Sequence, residues 1–121
     1  MIAADSSSLV SLLNNQDGED TALLLQAIES GQLVLSPVVI TEILSGAPSL
    51  DTILTDVTLL AIQDGYWQRA GASRRMLMAK GLKAKLGDAL IAQSCIDHDV
   101  ALITRDGDFR HFAQHCGLKL A

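Results

Sequence analysis

Five carboxylates of this 121-residue chain stand where they could act on one substrate: Asp5, Glu42, Asp88 and the pair Asp106 and Asp108. Their neighbours are apolar. Ile2 and Ala3 precede Asp5, Val38–Ile40 and Ile43-Leu44 bracket Glu42, Ala89–Ala92 follow Asp88, and Leu102-Ile103 precede Asp106. Like charges gathered in a low dielectric repel strongly. Such a cluster needs protons or a cation, and an all-oxygen donor set suits Mg²⁺ or Mn²⁺. An ion of that kind serves phosphoryl chemistry, because it stabilises charge on a phosphate and lowers the pKa of a bound water. Ser7, two residues past Asp5, offers a hydroxyl that could orient that carboxylate.

The acids converge only if the fold brings them together. Met1–Asp5 is short and apolar and reads as a buried first strand feeding a helix over Ser6–Leu13. After the polar break at 14–18, Glu19–Ser30 is helical, with Gly31 as its C-terminal cap. Leu33–Leu35 is a second buried strand. Ser36 and Pro37 then open a helix as N-cap and first residue, running to about Leu44 and ended by Gly46 and Pro48. Val57–Ile62 is a third strand, Tyr66–Ala79 a helix stopped by Gly81, and Asp88–His98 another helix. Val100–Thr104 is a fourth strand, Asp108–His115 a short helix, and Leu118–Ala121 a possible last strand. This alternation predicts an α/β fold, a central parallel sheet flanked by helices on both faces, as one domain over residues 1–121. Ligand chemistry in such folds sits beyond the carboxyl ends of the strands, where the strand order switches.

On that frame Asp5 ends the first strand and Asp106 follows the fourth, at the same edge. Helices run antiparallel to the strands, so Asp88, opening its helix, points there too. Glu42 lies five residues beyond Pro37, roughly 7–8 Å along its helix and within reach of the rim. Each acid also has a plainer role open to it. Asp5 and Asp88 could each cap a helix, and Asp106-Gly107 could be an ordinary turn. Glu42 is harder to dismiss, since an acid inside a Val-Val-Ile-Thr-Glu-Ile-Leu run is costly if buried alone. The joint placement of all four favours a functional site.

Net charge is −5, yet its distribution is lopsided. Residues 1–64 hold nine acids and no Lys or Arg, whereas residues 65–121 hold nine bases and five acids. Arg69, Arg74, Arg75, Lys80, Lys83 and Lys85 fall in one stretch without an acid. Such asymmetry suggests nucleic-acid contact, against the alternative of a solvated helix face. No run of apolar residues is long enough to span a membrane. The N-terminus does not read as a signal peptide, so the expected compartment is the cytoplasm. Cys95 and Cys116 are too few for a disulfide framework and read as small buried residues. His111 and His115, at i and i+4, lack the further ligands a zinc site needs. Tyr66 and Trp67 could stack on bases, but core or dimer packing explains them better.

Four segments carry a family resemblance: Ile2-Ala3-Ala4-Asp5-Ser6-Ser7, Leu33 to Gly46 around Glu42, Gly87-Asp88-Ala89-Leu90-Ile91-Ala92, and Ala101-Leu102-Ile103-Thr104-Arg105-Asp106-Gly107-Asp108-Phe109. In this order and spacing the chain resembles a PIN domain, and within that superfamily a VapC-type toxin. The resemblance implies a flavodoxin-like three-layer fold, dependence on Mg²⁺ or Mn²⁺, and endonucleolytic cleavage of RNA. By position, Asp5, Glu42, Asp88 and Asp106 take the family's acidic roles, with Asp5, Asp88 and Asp106 as metal ligands. Ser7 takes the supporting hydroxyl role, and Asp108 either assists or caps the last helix. The resemblance further implies a homodimer silenced by a cognate antitoxin protein. The segment from Leu50 to Lys85 follows no motif of the family.

Two other functions compete. One is a PIN-type nuclease of RNA maturation or turnover that has no antitoxin. The other is a non-enzymatic binding or regulatory module on a flavodoxin-like frame, such as a phospho-receiver. A receiver wants an acidic pair before its phosphorylated Asp and a well-placed late Lys; here one acid ends the first strand and Lys119 is poorly placed. A dehalogenase-type phosphatase wants an Asp where Ser7 stands.

Overall fold

A computed structural model describes all residues, Met1–Ala121. Four short parallel strands form the sheet: β1 (Ile2–Ala4), β2 (Leu33–Leu35), β3 (Thr58–Leu59) and β4 (Ala101–Ile103), in the order β3-β2-β1-β4. Seven helices flank it: α1 (Ser6–Leu13), α2 (Glu19–Glu29), α3 (Pro37–Gly46), α4 (Asp51–Leu54), α5 (Tyr66–Ala79), α6 (Leu86–His98) and α7 (Arg110–His115). This is the expected α/β architecture, a parallel sheet between helices.

The strands β1, β2 and β4 are continuous apolar runs because both of their faces are covered. Ala3, Ala4, Val34, Leu35, Leu102 and Ile103 are almost fully buried, and Leu24, Val39, Leu77, Ile91, Phe109 and Phe112 pack around them from the helices. Chain direction fixes the site. From β1 the chain moves outward to β2 and β3, then returns to place β4 on the other side of β1. The order therefore switches between β1 and β4, and the crevice beyond their carboxyl ends is where ligands bind in open sheets.

Several boundaries differ from the sequence expectation. The third strand shrinks from Val57–Ile62 to Thr58–Leu59, because it is an edge strand that pairs only with β2 and leaves both residues exposed. The expected last strand is a single bridge, Leu102 to Leu120. Pro48–Leu50 and α4 form a helical stretch that the sequence did not announce. The helix α6 begins at Leu86, so Asp88 lies inside its first turn rather than opening it. The helix expected over Asp108–His115 is a 3-10 turn over Gly107–Phe109 followed by α7. Ser36 does precede α3, but its side chain makes no capping bond; its oxygen instead accepts from Ser94 in α6 at 2.9 Å. Gly31 and Gly81 stop α2 and α5 as expected, with φ of 69° and 74° that a side chain would resist.

Candidate active site

Asp5 leaves β1 at the switch point. Its backbone N–H still donates to Ile103 O at 3.1 Å, which extends the β1–β4 pairing by one residue. Its carboxylate then caps α1, accepting the Ser8 N–H at 3.1 Å. Ser7 Oγ donates to the same carboxylate at 2.8–2.9 Å, and Thr104 Oγ1 donates to Oδ2 at 2.7 Å. The capping role and the supporting role of Ser7 thus coexist in one geometry. Asp5 is only 3% exposed. Burial pushes its pKa up, the bonds from Thr104, Ser8 and Ser7 pull it back, and the charge of Asp106 raises it further.

Thr104 is a residue that the acid-centred reading missed. Its hydroxyl also accepts the Asp106 N–H at 3.0 Å, so one side chain ties Asp5 to the backbone of Asp106. The signal was present: a Thr two residues before a polar turn residue can bond the i+2 N–H. Asp106 in turn caps the 3-10 turn, accepting the Asp108 N–H at 2.9 Å.

Asp88 sits in the first turn of α6, where the helix dipole favours a carboxylate. It is 9% exposed, and its Oδ2 is buried with no hydrogen-bond partner. Burial raises its pKa to about 6; Asp106, Glu42 and Asp108 push the same way, while Lys85 opposes them. Asp88, Asp106 and Asp108 each place one oxygen within 4.8 Å of the others. Asp5 is not one of these three, and Asp108 is. A buried carboxylate oxygen without a donor, facing two further carboxylates, fits a cation and no hydrogen-bonding ligand that only accepts.

Glu42 reaches the rim by a different route from the one expected. It lies on an exposed face of α3 rather than in the core. Ser6 Oγ donates to its Oε1 at 2.6 Å. Its Oε2 lies so near α6 that a Cβ built on Gly87 would meet it at 3.1 Å. A side chain at Gly87 would therefore crowd the Glu42 carboxylate where it approaches the start of α6.

The six basic residues separate into two groups. Arg69 grips Asp97 with two bonds of 2.7 and 3.0 Å and donates to Asp64 O, and Arg74 donates to Ala84 O. Both side chains hold the fold together. Lys80, Lys83 and Lys85 are exposed on the segment leading into α6, and Lys83 Nζ lies 3.2 Å from Asp108 Oδ2. Arg75 is exposed on α5. Tyr66 is buried, donating to Leu90 O at 2.6 Å, whereas Trp67 is 60% exposed. Cys95 is buried and Cys116 half-buried, both free thiols.

Solved structures share this fold. A chain of the VapBC2 complex from Rickettsia felis, bound to a DNA fragment from its promoter, superposes with a TM-score of 0.78 at 21% identity, covering 100% of this chain and 98% of that one. A chain of VapBC-1 from nontypeable Haemophilus influenzae gives 0.76 at 18% identity, with coverage of 100% and 97%. FitAcB from Neisseria gonorrhoeae gives 0.75 at 17%, with coverage of 99% and 96%. No curated protein sequence matches this one. The family model for the PIN domain matches residues 2–114, nearly the whole span from β1 to α7, and the chain belongs to the PIN domain family.

Proposed function

We propose that this chain is a metal-dependent endoribonuclease, the toxin of a toxin–antitoxin pair. The observation that carries the reading is the Asp88 carboxylate, buried with an orphaned oxygen and facing Asp106 and Asp108 at the switch point of the sheet. PIN domains generally use divalent metals, and the donor set here, oxygen only, suits Mg²⁺ or Mn²⁺. Asp88, Asp106 and Asp108 would hold the ion, with Asp5 alongside. The chemistry it supplies when bound is Lewis acidity toward a phosphodiester and a more acidic water.

The remaining work falls to the chain. Ser7 and Thr104 fix the Asp5 carboxylate by donating to it, and Ser6 fixes Glu42. Glu42, exposed at the rim, would take up a proton from an attacking water. Lys80, Lys83 and Lys85, lying on the approach to Asp88, would bind the RNA backbone. Their positive charge concentrates a polyanion at a site whose own acids would otherwise repel it.

The structural neighbours are toxin–antitoxin complexes, which supports an antitoxin partner here. An apolar cleft of about 290 Å³ opens between α1, the end of α2, β3 and α4, lined by Leu12, Leu13, Ile28, Ile53 and Val57 among others. It lies in the half of the chain that has no Lys or Arg. Its proposed occupant is a basic amphipathic segment of the antitoxin. A charge-reversal series in that segment should weaken the complex stepwise; unchanged affinity would reject this docking. A homodimer, which the resemblance to VapC-type toxins implies, is proposed as well, and a monomer mass by light scattering would reject it.

The test of the activity is cleavage of structured and single-stranded RNAs by purified protein, with Mg²⁺ or Mn²⁺ against EDTA, comparing the parent with Asp5→Ala and Asp106→Ala. Cleavage that needs the metal and is lost in both variants is expected. Cleavage surviving in the folded variants would overturn the assignment.

A further inference from the structure

Arg105 lies between the two residues, Thr104 and Asp106, that serve the site, but its side chain turns away to α2. Nε donates to Asp20 Oδ2 at 2.8 Å and Nη2 to Asp20 Oδ1 at 3.0 Å, while Nη1 donates to Gln16 Oε1 at 3.2 Å. This is a two-pronged fork on a carboxylate, the geometry in which Arg is most directional. The pair lies at the surface, with Arg105 exposed and Asp20 half-buried, so its hold comes from the forked geometry rather than from burial. Asp20 Oδ2 also accepts from Ser8 Oγ at 2.9 Å, and Ser8 is fully buried. Ser8 in turn gives its backbone N–H to Asp5. The bonds therefore close a ring: Asp5 to Ser8, Ser8 to Asp20, Asp20 to Arg105, and back through Thr104 to Asp5. Gly18 makes room for it, since a Cβ there would lie 2.6 Å from Asp20 Oδ1 and 3.1 Å from Arg105 Nη2. The neighbouring Arg105 guanidinium holds the Asp20 carboxyl down at about 2.

We propose that Asp20 and Arg105 are positioning residues: together they clamp the turn after β4 to the start of α2 and so fix Asp106 relative to Asp5. The inference rests on the reading of the acidic rim as a metal site. Neither side chain touches that rim; both act through Thr104, Asp106 and Ser8. Releasing the clamp lets the turn carrying Asp106 and Asp108 drift from Asp88, which loosens the grip on an ion while leaving the hydrophobic core untouched. Partners that orient metal ligands are typically worth about 10–100-fold in metal affinity.

The experiment is Mn²⁺ titration by calorimetry of the full chain: parent, Asp20→Asn, Arg105→Gln, Arg105→Lys, the Asp20→Asn/Arg105→Gln double variant, and Asp88→Asn as a site control. The expected result is Mn²⁺ affinity about 10-fold weaker in each single variant. The double variant should be no worse than the worse single one, because the two residues act as one unit. Arg105→Lys should recover only part of the loss, having the charge without the fork. RNA affinity measured without metal should not change. Additive losses, or parent affinity in a folded Arg105→Gln, would overturn the proposal. Gly18→Ala, which crowds the pair without altering its charges, gives a second route should a charge variant fold poorly; parent-like Mn²⁺ affinity there counts against the clamp. If the parent binds no Mn²⁺, or Asp88→Asn binds it as well as the parent, the metal reading itself fails. The clamp is then judged by amide hydrogen exchange at residues 104–109, which must quicken in Arg105→Gln if the pair holds this turn and must stay as in the parent if it does not.

Discussion

Single residues at this rim bear opposing demands, and Asp88 bears them most plainly. Its carboxyl is buried among other acids, so in the metal-free protein its pKa is raised from 3.8 to about 6. The sign of the consequence follows. Above about pH 6 the folded chain must keep a buried charge that the unfolded chain holds in water, which destabilises the fold. As pH falls through about 6 the folded state takes up a proton first, and stability rises until about pH 3.8, where both states are protonated. At 1.36 kcal/mol per unit the ceiling is about 3 kcal/mol. Metal-free parent is expected to gain stability between pH 7.5 and pH 5 relative to Asp88→Asn, and the variant to be the more stable of the two at pH 7.5. Denaturant titrations at both pH values check this; identical pH dependence in the two proteins would reject it. Divalent ions should bind progressively less well below about pH 6, because protons compete for the same oxygen.

Between elements, polar contacts do what the apolar core cannot, which is to set register. Ser94 of α6 donates to Ser36 at the start of α3, and Tyr66 of α5 donates to Leu90 O of α6. All three side chains are nearly fully buried. Ser94→Ala leaves the Ser36 hydroxyl without its donor in the interior, an expected loss of about 1–3 kcal/mol in chemical unfolding; a change below a few tenths would show that water replaces the bond. Gly87 makes the opposite case. Alanine is the better helix former by up to about 1 kcal/mol, but its Cβ would press on the Glu42 carboxylate, 3.1 Å away. Gly87→Ala is therefore expected to keep or raise thermal stability while lowering RNA cleavage. Loss of stability together with activity would mean that Gly87 serves the fold rather than the approach of Glu42.

Across the whole molecule the charge is segregated, with every Lys and Arg in residues 65–121. Arg69 and Arg74 are spent on internal bonds, whereas Lys80, Lys83 and Lys85 are exposed, with Lys83 paired to Asp108 of the acidic rim and Lys85 close enough to act on Asp88. Each lysine that meets an RNA phosphate should add about 0.7 to the slope of log affinity against log salt. Replacing all three with Ala is expected to weaken RNA binding at low salt and flatten that slope by up to about 2. Binding measured over a salt series in EDTA checks this, and an unchanged slope would move the RNA path elsewhere. No helix of the chain is long and apolar enough to cross a membrane.

The sequence by itself determined the parts of the protein that depend on local pattern. The short apolar run Leu33-Val34-Leu35, set between Gly31 and Ser36-Pro37, fits an inner parallel strand, and it is one. Pro37, Gly31 and Gly81 mark helix ends through backbone restrictions that act within a few residues. Acids at the ends of β1 and β4 had to share an edge once the strands were parallel. Tertiary structure decided everything that depends on distance between remote segments. It made Glu42 an exposed rim residue, because the face a helix buries depends on its neighbours. It gathered Asp108 with Asp88 and Asp106, because a 3-10 turn and not an α-helix follows β4. It consumed Arg69 and Arg105 in carboxylate pairs 28 and 85 residues away along the chain. Periodicity carries no term for such long-range pairing, since a charged side chain looks the same in sequence whether its partner is a carboxylate, a phosphate or water.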